Sequence, residues 1–196
     1  MTSLAEAQAG IRDLHARYTD ATWRKDFDAF AGCFAEDGEW RISGRVFRGR
    51  QEIRDGIAVI LDKFHGVLIT FRNPILKVGD GVASGRTYID ERCAWKNGNT
   101  NISIGCYYEH FALIEDRWLF TWRLFEMHYR GDPDMTGTFF ERRDYGPPPT
   151  MPPRDANTED MASARWGLPE AGQAGGGTPV PDWLQSPASP KDSGLR

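Results

Sequence analysis

The chain has 196 residues, a formal net charge of −4 and a pI of about 5.6. This length is enough for one domain with a full core and an additional segment. Its 24 Lys and Arg residues are dispersed among 28 Asp and Glu residues, so no basic stripe is present and no nucleic-acid partner is expected. No apolar run approaches the ~20 residues of a membrane span, and the N-terminus lacks the charged and apolar regions of a signal peptide. We therefore expect a cytoplasmic protein with no membrane partner.

Cysteine and histidine spacing gives no support for a metal or a cofactor. Cys33, Cys93 and Cys106 are odd in number and far apart, without CxxC spacing, which is typical of buried thiols in a reducing compartment. The four histidines form no HxH or HExxH cluster. A glycine-rich phosphate loop and a nucleophile elbow are also missing. We expect neither a metal nor a cofactor.

A capping box predicts that the first helix begins at Ser3. Glu6 stands three residues later, where its carboxylate can reach back to the cap. Apolar side chains then recur at helical spacing, and they are Leu4, Ala7, Ile11, Leu14, Tyr18 and Thr22. This pattern indicates a single amphipathic helix that ends near Trp23.

Two further helices are predicted, with a strand between them. A short one follows Asp26 and leads through a turn into a strand that opens with Trp40. Its apolar face consists of Phe27, Phe30 and Phe34. Another helix follows the turn at 47–49 and ends at His65–Gly66. Its apolar stripe consists of Ile53, Ile57, Ile60, Leu61 and Phe64.

From Val67 onward the apolar period is two, which predicts strands. The predicted strands cover residues 67–78, 82–96, 101–114 and 117–130. The turns between them are Gly79-Asp80-Gly81, Asn97-Gly98-Asn99 and Glu115-Asp116, and Asn-Gly is a strong hairpin signal. Long strands joined by short turns form an antiparallel meander, which must curve around the helices. Gly85 and Gly105 are the predicted bend or bulge sites.

The composition changes after Tyr145, which predicts a domain at 1–145 and a tail at 146–196. Of the twelve prolines, all but Pro74 and Pro133 lie in the tail. Its apolar content is too low for a core of its own. Residues that could anchor it are Trp166, Leu168, Trp183 and Leu184.

A set of short motifs in this order resembles the SnoaL-like branch of the NTF2-like superfamily over residues 4–135. The motifs are Ile11-Arg12-Asp13-Leu14, Asp26-Phe27-Asp28, Phe34-Ala35-Glu36-Asp37, Gly49-x-x-x-Ile53, Asn73-Pro74, Gly79-Asp80-Gly81, Tyr107-Tyr108-Glu109, Arg117-Trp118 and Arg123. Relatives include scytalone dehydratase, ketosteroid isomerase, polyketide cyclases and hexachlorocyclohexane dehydrochlorinase. The resemblance implies an α+β cone, in which three N-terminal helices pack in a strongly curved, mainly antiparallel sheet around a deep apolar pocket. One fold of this kind hosts many functions.

The resemblance carries over only part of the relatives' catalytic set. The positions of the catalytic Asp and His of the dehydratase and dehydrochlorinase are occupied here by Trp23 and Ile69. Tyr18 matches the hydrogen-bonding Tyr of the isomerase, and Arg123 matches a pocket Arg of the dehydrochlorinase. The pocket therefore runs a reaction with other residues, or it binds without catalysis.

Strand alternation supplies the candidate catalytic residues, which are Arg123, Tyr107, Tyr18, Glu109 and Asp90. If Tyr107 faces the pocket, Glu109 does so as well. A further polar face of the preceding strand consists of Arg86, Tyr88, Asp90 and Arg92. In the functional interpretation, Arg123 stabilises a developing oxyanion and a carboxylate is the general base. The alternative is a structural ion pair of Arg123 with Glu109 or Asp90.

Aromatic residues dominate the pocket-forming segments and predict a site that stacks flat rings. The candidate substrate-binding residues are Trp23, Trp40, His65, Phe71, Tyr88 and Phe125. Some of these side chains are expected to fill the core, and His65 also fits a helix-terminal position favoured by the helix dipole.

Together these features favour a cofactor-independent lyase acting on a hydrophobic phenolic compound. The reaction is either dehydration or C–C cleavage with loss of formaldehyde from a lignin-derived diarylpropane diol. The alternatives are a non-catalytic partner, such as the β subunit of a ring-hydroxylating dioxygenase or a small-molecule carrier, and an isomerase or cyclase of the SnoaL type. We also expect a homo-oligomer, a trimer or a dimer, formed through an exposed sheet face. Candidates for that face are Trp95, Tyr108, Trp118, Phe120 and Trp122.

Overall fold

Three helices form the N-terminal layer of the fold in the computed structural model, which describes residues 1–140. They are α1 (Leu4–Arg24), α2 (Phe27–Ala31) and α3 (Gly49–Leu61). The predicted capping box is confirmed, since the Ser3 hydroxyl accepts from the Glu6 N–H and the Glu6 carboxylate accepts from the Ser3 N–H. Lys25 ends α1 in a left-handed conformation with φ of 57°, so the chain reverses sharply into α2.

The strands form one curved sheet against which the helices pack. The strands are β1 (Phe34–Ile42), β2 (Arg45–Arg48), β3 (Phe64–Phe71), β4 (Ile75–Val78), β5 (Val82–Trp95), β6 (Thr100–Ile114), β7 (Arg117–Gly131) and β8 (Thr138–Phe139). Their order is β2-β1-β7-β6-β5-β3, with β4 paired to β5 and β8 paired to β7. The β1–β7 pairing is parallel and the other pairings are antiparallel. This is the predicted α+β cone with its meander of long strands.

Element boundaries differ from the sequence prediction at three places. β1 begins at Phe34 rather than at Trp40, and α3 ends at Leu61, so that β3 already begins at Phe64. The predicted strand over residues 67–78 is split between Phe71 and Ile75, because the proline that follows Asn73 has no N–H for the ladder. The predicted boundary at 145 and the tail lie outside the described residues.

One of the two predicted bulge sites is confirmed. The β6–β7 register shifts between Ile104 and Gly105, and a Cβ on Gly105 would approach the Glu126 carbonyl oxygen to 2.5 Å. Gly85 lies in an unbroken register; there, a Cβ would come within 2.9 Å of the Ile75 carbonyl oxygen. Gly85 therefore permits the close approach of two strands, whereas Gly105 permits the bend.

The core lies between the concave face of the sheet and the helices. α1 packs on β3 and β7, and α3 packs on β1. Gly10 allows α1 to come close to the sheet, since a Cβ at this position would overlap the Trp118 indole. The aromatic residues that we expected on an exposed sheet face are instead buried, none of them more than 5% accessible. They are Trp95, Tyr108, Trp118, Phe120 and Trp122.

Within residues 1–140, no helix combines the length and the apolar character needed to cross a bilayer.

Replacing Gly105 with Ala should destabilise the domain by about 2 kcal/mol or more, because the new methyl group meets a backbone carbonyl that cannot move without breaking the bulge. Gly32→Ala is the matched control. Gly32 has a right-handed helical conformation with φ of −63°, so this change should alter stability by less than about 1 kcal/mol. Chemical denaturation of both variants measures the difference. Equal stability of the two variants would show that the bulge does not require glycine.

Candidate active site

A buried cluster of four polar side chains lies at the centre of the domain. The Glu109 carboxylate accepts from Arg123 Nε at 2.8 Å and from Thr87 Oγ1 at 2.7 Å. His15 Nε2 lies 3.1 Å and 3.2 Å from the two carboxylate oxygens. Arg123 and Glu109 are both fully inaccessible. The ion pair predicted as one alternative for Arg123 is therefore formed with Glu109.

The cluster is assembled from one helix and three adjacent strands. Glu109 on β6 lies directly opposite Arg123 on β7, Thr87 reaches the carboxylate from β5, and His15 reaches it from α1. Burial by itself would raise the pKa of the Glu109 carboxyl. The net shift is nevertheless downward, because the charges of His15 and Arg123 and the hydrogen bonds from His15 and Thr87 stabilise the carboxylate. Glu109 is consequently held as a carboxylate at neutral pH and is poorly suited to take up a proton.

Aromatic rings enclose the Arg123 guanidinium. Its Cζ lies 3.5 Å from the centre of the Tyr107 ring, 4.1 Å from that of Tyr18 and 4.3 Å from that of Phe120. Nη1 and Nη2 have no hydrogen-bond partner in the part of the chain that the structure describes. Contact with the ring faces partly compensates for the lost hydration of the cation. The rings of Tyr18 and Tyr107 thus cover the Arg123 guanidinium.

An apolar cavity of about 100 Å³ opens beside this cluster. Tyr18 and Tyr107 separate it from Arg123 and form part of its wall. Residues that line it include Trp40, Ile69, Glu91, Cys93, Trp95 and Phe125. Ile60 and Lys63 line it too and retain solvent exposure, which places the mouth of the cavity near these two residues.

Glu91 is the ionisable carboxyl group of the cavity wall. It lies on β5 opposite Ile69 of β3 and Ser103 of β6. Its side chain has no hydrogen bond or ion pair with any residue of the described range 1–140. Burial raises the pKa of Glu91 to about 7, a shift that the positive charges of Arg130 and Arg123 reduce only in part. A carboxyl group of this kind exchanges its proton near neutral pH, as a general base must.

The two tyrosines supply neutral donors on the same wall. Burial raises the pKa of Tyr18 to about 12 in spite of the nearby Arg123. Burial also raises the pKa of Tyr107, and the neighbouring Tyr18 adds to this shift. Both phenols therefore keep their protons at pH 7. Because the two hydroxyls also interact with each other, the pair can present one O–H donor to an oxygen in the cavity.

Several sequence-predicted site residues come together here. Tyr18 and Tyr107 line the cavity, and Arg123 with Glu109 forms the layer behind them. Two of the predicted binding residues, Trp40 and Phe125, also line the cavity.

The remaining candidates lie elsewhere, and the expected inner face of β5 is corrected. Asp90 and Tyr88 belong to the opposite face of the strand, where the Asp90 carboxylate lies 2.7 Å from Arg72. His65 and Trp23 line an open groove outside the cavity, and the Trp23 side chain is 57% exposed. Phe71 does not line the cavity.

Phe71 instead packs against the buried cluster, where its shortest ring contact is with His15. Its ring stacks on the imidazole with centroids 4.4 Å apart and planes 2° from parallel. Phe71 thus holds the histidine of the buried cluster in place.

Glu91 is not among the predicted site residues, although its position on β5 marks it. Along β5 the residues that share its face are small or apolar, and they are Ala83, Thr87, Ile89, Cys93 and Trp95. Glu91 is therefore the single acid on the apolar face, whereas Asp90 stands on the face with Arg86 and Arg92. A lone carboxyl group on a buried face is a stronger indication of a site than a solvated polar face.

A metal site would require several ligand side chains close together. Within residues 1–140, no group of three or more His, Cys, Asp or Glu side chains is arranged to hold a metal ion.

The chain matches the SnoaL-like domain over residues 3–124, which is more than half of its length. It therefore belongs to the SnoaL-like domain family. No curated protein matches the chain significantly.

Solved structures show the same fold. A Mycobacterium tuberculosis protein of unknown function is 26% identical, with a TM-score of 0.57, and the match covers 61% of this chain and 74% of that one. A candidate scytalone dehydratase from Novosphingobium aromaticivorans is 17% identical, with a TM-score of 0.61, covering 69% of this chain and 94% of that one. A hexachlorocyclohexane dehydrochlorinase is 17% identical, with a TM-score of 0.60, covering 74% and 96%.

Replacing Glu91 with Gln should flatten the pH dependence of stability. Because the folded-state pKa is raised from 4.5 to about 7, the folded protein holds a proton that the unfolded chain releases between these values. Stability therefore falls as pH rises through this window, by on the order of 3 kcal/mol at most. The variant should lack this loss. Urea denaturation across the window measures it, with the exposed Glu115→Gln as control. A wild-type profile that matches the variant's would contradict the raised pKa.

Replacing Arg123 with Met should cost about 3–5 kcal/mol, because it leaves the Glu109 carboxylate buried without its cation. The double variant Arg123→Met with Glu109→Leu removes both charges and should recover part of that loss. Denaturation midpoints of the single and double variants measure the recovery. A double variant less stable than either single variant would show that packing, rather than the ion pair, is the main contribution.

Proposed function

We propose that the protein is a cofactor-independent lyase that eliminates water from a small, hydrophobic, oxygenated aromatic compound. The observation that carries this proposal is Glu91, an unpaired carboxyl group with a pKa of about 7 on the wall of an apolar cavity. The wall also presents the two neutral phenols of Tyr18 and Tyr107. An elimination needs a base for a proton and a donor for the departing oxygen, and this wall contains both.

Each group has a separate role in this proposal. Glu91 removes a proton from the carbon next to the carbinol carbon, the electrons of that C–H bond form the C=C bond, and the C–O bond breaks. Tyr18 or Tyr107 gives its proton to the departing hydroxide, which leaves as water, and the phenolate that remains takes back a proton from the protonated Glu91. Arg123 acts through the two rings that it contacts, since a cation at 3.5 Å and 4.1 Å from their centres stabilises negative charge on either phenol. Arg123 is a positioning and electrostatic residue here, because Tyr18 and Tyr107 stand between it and the cavity.

The cavity favours a ligand with one ring. Its volume of about 100 Å³ is below the ~300 Å³ at which ordinary ligand pockets begin, so even one ring requires side chains at the mouth to move. Ile60 and Lys63 are placed to do so. A para-hydroxyaryl carbinol fits this chemistry, because loss of the benzylic hydroxyl as water is assisted by electrons from the phenolic oxygen.

The alternative reaction, on a substrate with two rings, uses similar chemistry but needs a larger cavity. Loss of formaldehyde from a diarylpropane diol would use the same base and the same phenolic assistance. It requires the cavity to open far more widely than dehydration of one ring, so the one-ring dehydration is the form that the geometry favours. Two solved structures of this fold carry names of elimination enzymes, a candidate scytalone dehydratase and a hexachlorocyclohexane dehydrochlorinase, and this supports an elimination as the reaction class.

Turnover of the carbinol 1-(4-hydroxyphenyl)ethanol by purified protein tests the proposal, with the 4-hydroxystyrene product followed by its ultraviolet absorbance. Glu91→Gln should lower kcat by about 100-fold or more, the usual contribution of a general base. Asp90→Asn is the matched control, because it changes the neighbouring carboxylate on the outer face of the same strand and should leave kcat within about twofold. The wild-type rate should rise as pH increases towards 7, since the base works in its deprotonated form.

The result also separates the other functions. Tight binding of the carbinol without turnover would contradict the lyase and favour a carrier. A product with the same composition as the substrate would indicate an isomerase or a cyclase. Loss of activity in Asp90→Asn but not in Glu91→Gln would assign the base to the other face of the strand.

A further inference from the structure

Trp40 carries a buried hydrogen-bond donor that has no acceptor. The residue lies in β1, its side chain is only 1% exposed, and it forms part of the cavity wall. Nε1 has no partner in the described part of the chain. Such a group loses its hydration on folding and gains nothing in return, so native structures rarely leave one unpaired.

Two other buried indoles of the same domain are satisfied. Trp95 Nε1 donates to Asn101 Oδ1 at 2.7 Å, and Trp122 Nε1 donates to Glu39 Oε1 at 3.0 Å. Trp95 also lines the cavity. The contrast between Trp40 and Trp95 therefore concerns two indoles in one wall, one with a protein acceptor and one without.

The Trp40 ring is held firmly in its position. Phe30 and Phe47 pack against it with ring centroids 5.3 Å and 5.5 Å away. On the neighbouring strand it lies opposite Arg123, which also belongs to the wall region behind the tyrosines. A donor fixed in this way loses little freedom when a ligand accepts its hydrogen bond.

We infer that the Trp40 N–H is a specificity-determining donor that binds a second oxygen of the ligand, such as a methoxyl, hydroxyl or carbonyl oxygen on the aromatic ring. This inference rests on the proposed function only in assuming that the cavity accepts an aromatic ligand. The tyrosines bind one oxygen and Trp40 binds another. The substrate class is thereby narrowed from a phenol to a ring with two oxygen substituents.

Calorimetric binding of two matched probes tests the inference without any turnover. The probes are ortho-methoxyphenol and ortho-ethylphenol, which differ by one oxygen in place of a methylene group. Wild-type protein should prefer the methoxy compound by about tenfold, and Trp40→Phe should remove this preference. Trp95→Phe is the control, because its N–H is already bonded, and it should change the affinity for both probes by the same factor.

A second measurement covers the case in which Trp40→Phe does not fold. In the wild-type protein labelled with ¹⁵N, the Trp40 indole proton resonance should move downfield with the methoxy probe and not with the ethyl probe. The Trp95 resonance should respond alike to both probes. Identical responses of Trp40 to the two probes, an equal loss of both affinities in Trp40→Phe, or no binding of either probe would overturn the inference. Oxygen-dependent binding combined with a failure to turn over the carbinol would overturn the proposed reaction alone.

Discussion

The Glu109 carboxylate in the centre of the domain is the contact on which the rest of the structure depends. It accepts hydrogen bonds from Arg123 and Thr87 and lies within hydrogen-bond distance of His15, so it joins α1 to three strands. Tyr18 lies one turn after His15 on the same helix, and its place on the cavity wall follows from this anchoring. An apolar residue at 109 would leave the buried guanidinium uncompensated, so neither charge can be changed alone.

Two glutamates on neighbouring strands have opposite properties because their surroundings differ. Glu109 has partners on several sides, and these hold its proton affinity low. Glu91 faces an apolar cavity without a partner, and burial raises its pKa to about 7. One carboxyl group is therefore charged at neutral pH and organises the fold, whereas the other changes its protonation state near pH 7. This division, set by environment rather than by residue type, is how a single fold obtains both a structural charge and an acid–base group.

Local signals in the sequence predicted most of the fold, and about half of the predicted site residues lie in or directly behind the cavity wall. The capping box at Ser3 and the alternating strands were readable because they depend on neighbouring residues. The parallel pairing of β1 with β7 was not, because no local pattern selects a partner so far along the chain. The face of β5 was misassigned because its polar residues Arg86, Asp90 and Arg92 resemble a catalytic set, whereas the apolar residues that alternate with Glu91 mark the buried face. The bulge near Thr121 also shifts the alternation of β7, so Phe120 and Arg123 share a face.

The pairing of β1 with β7 also has a consequence for how the domain is made. Trp40 and Arg123 lie opposite each other on adjacent strands. During synthesis, however, Trp40 emerges from the ribosome long before Arg123. Until β7 has emerged, the early strand has only the β2 hairpin beside it, and its large indole has no complete surface to pack on. Closure of such a distant contact is slow compared with helix formation. Nascent chains that end before β7 would therefore be the species that chaperones must shield.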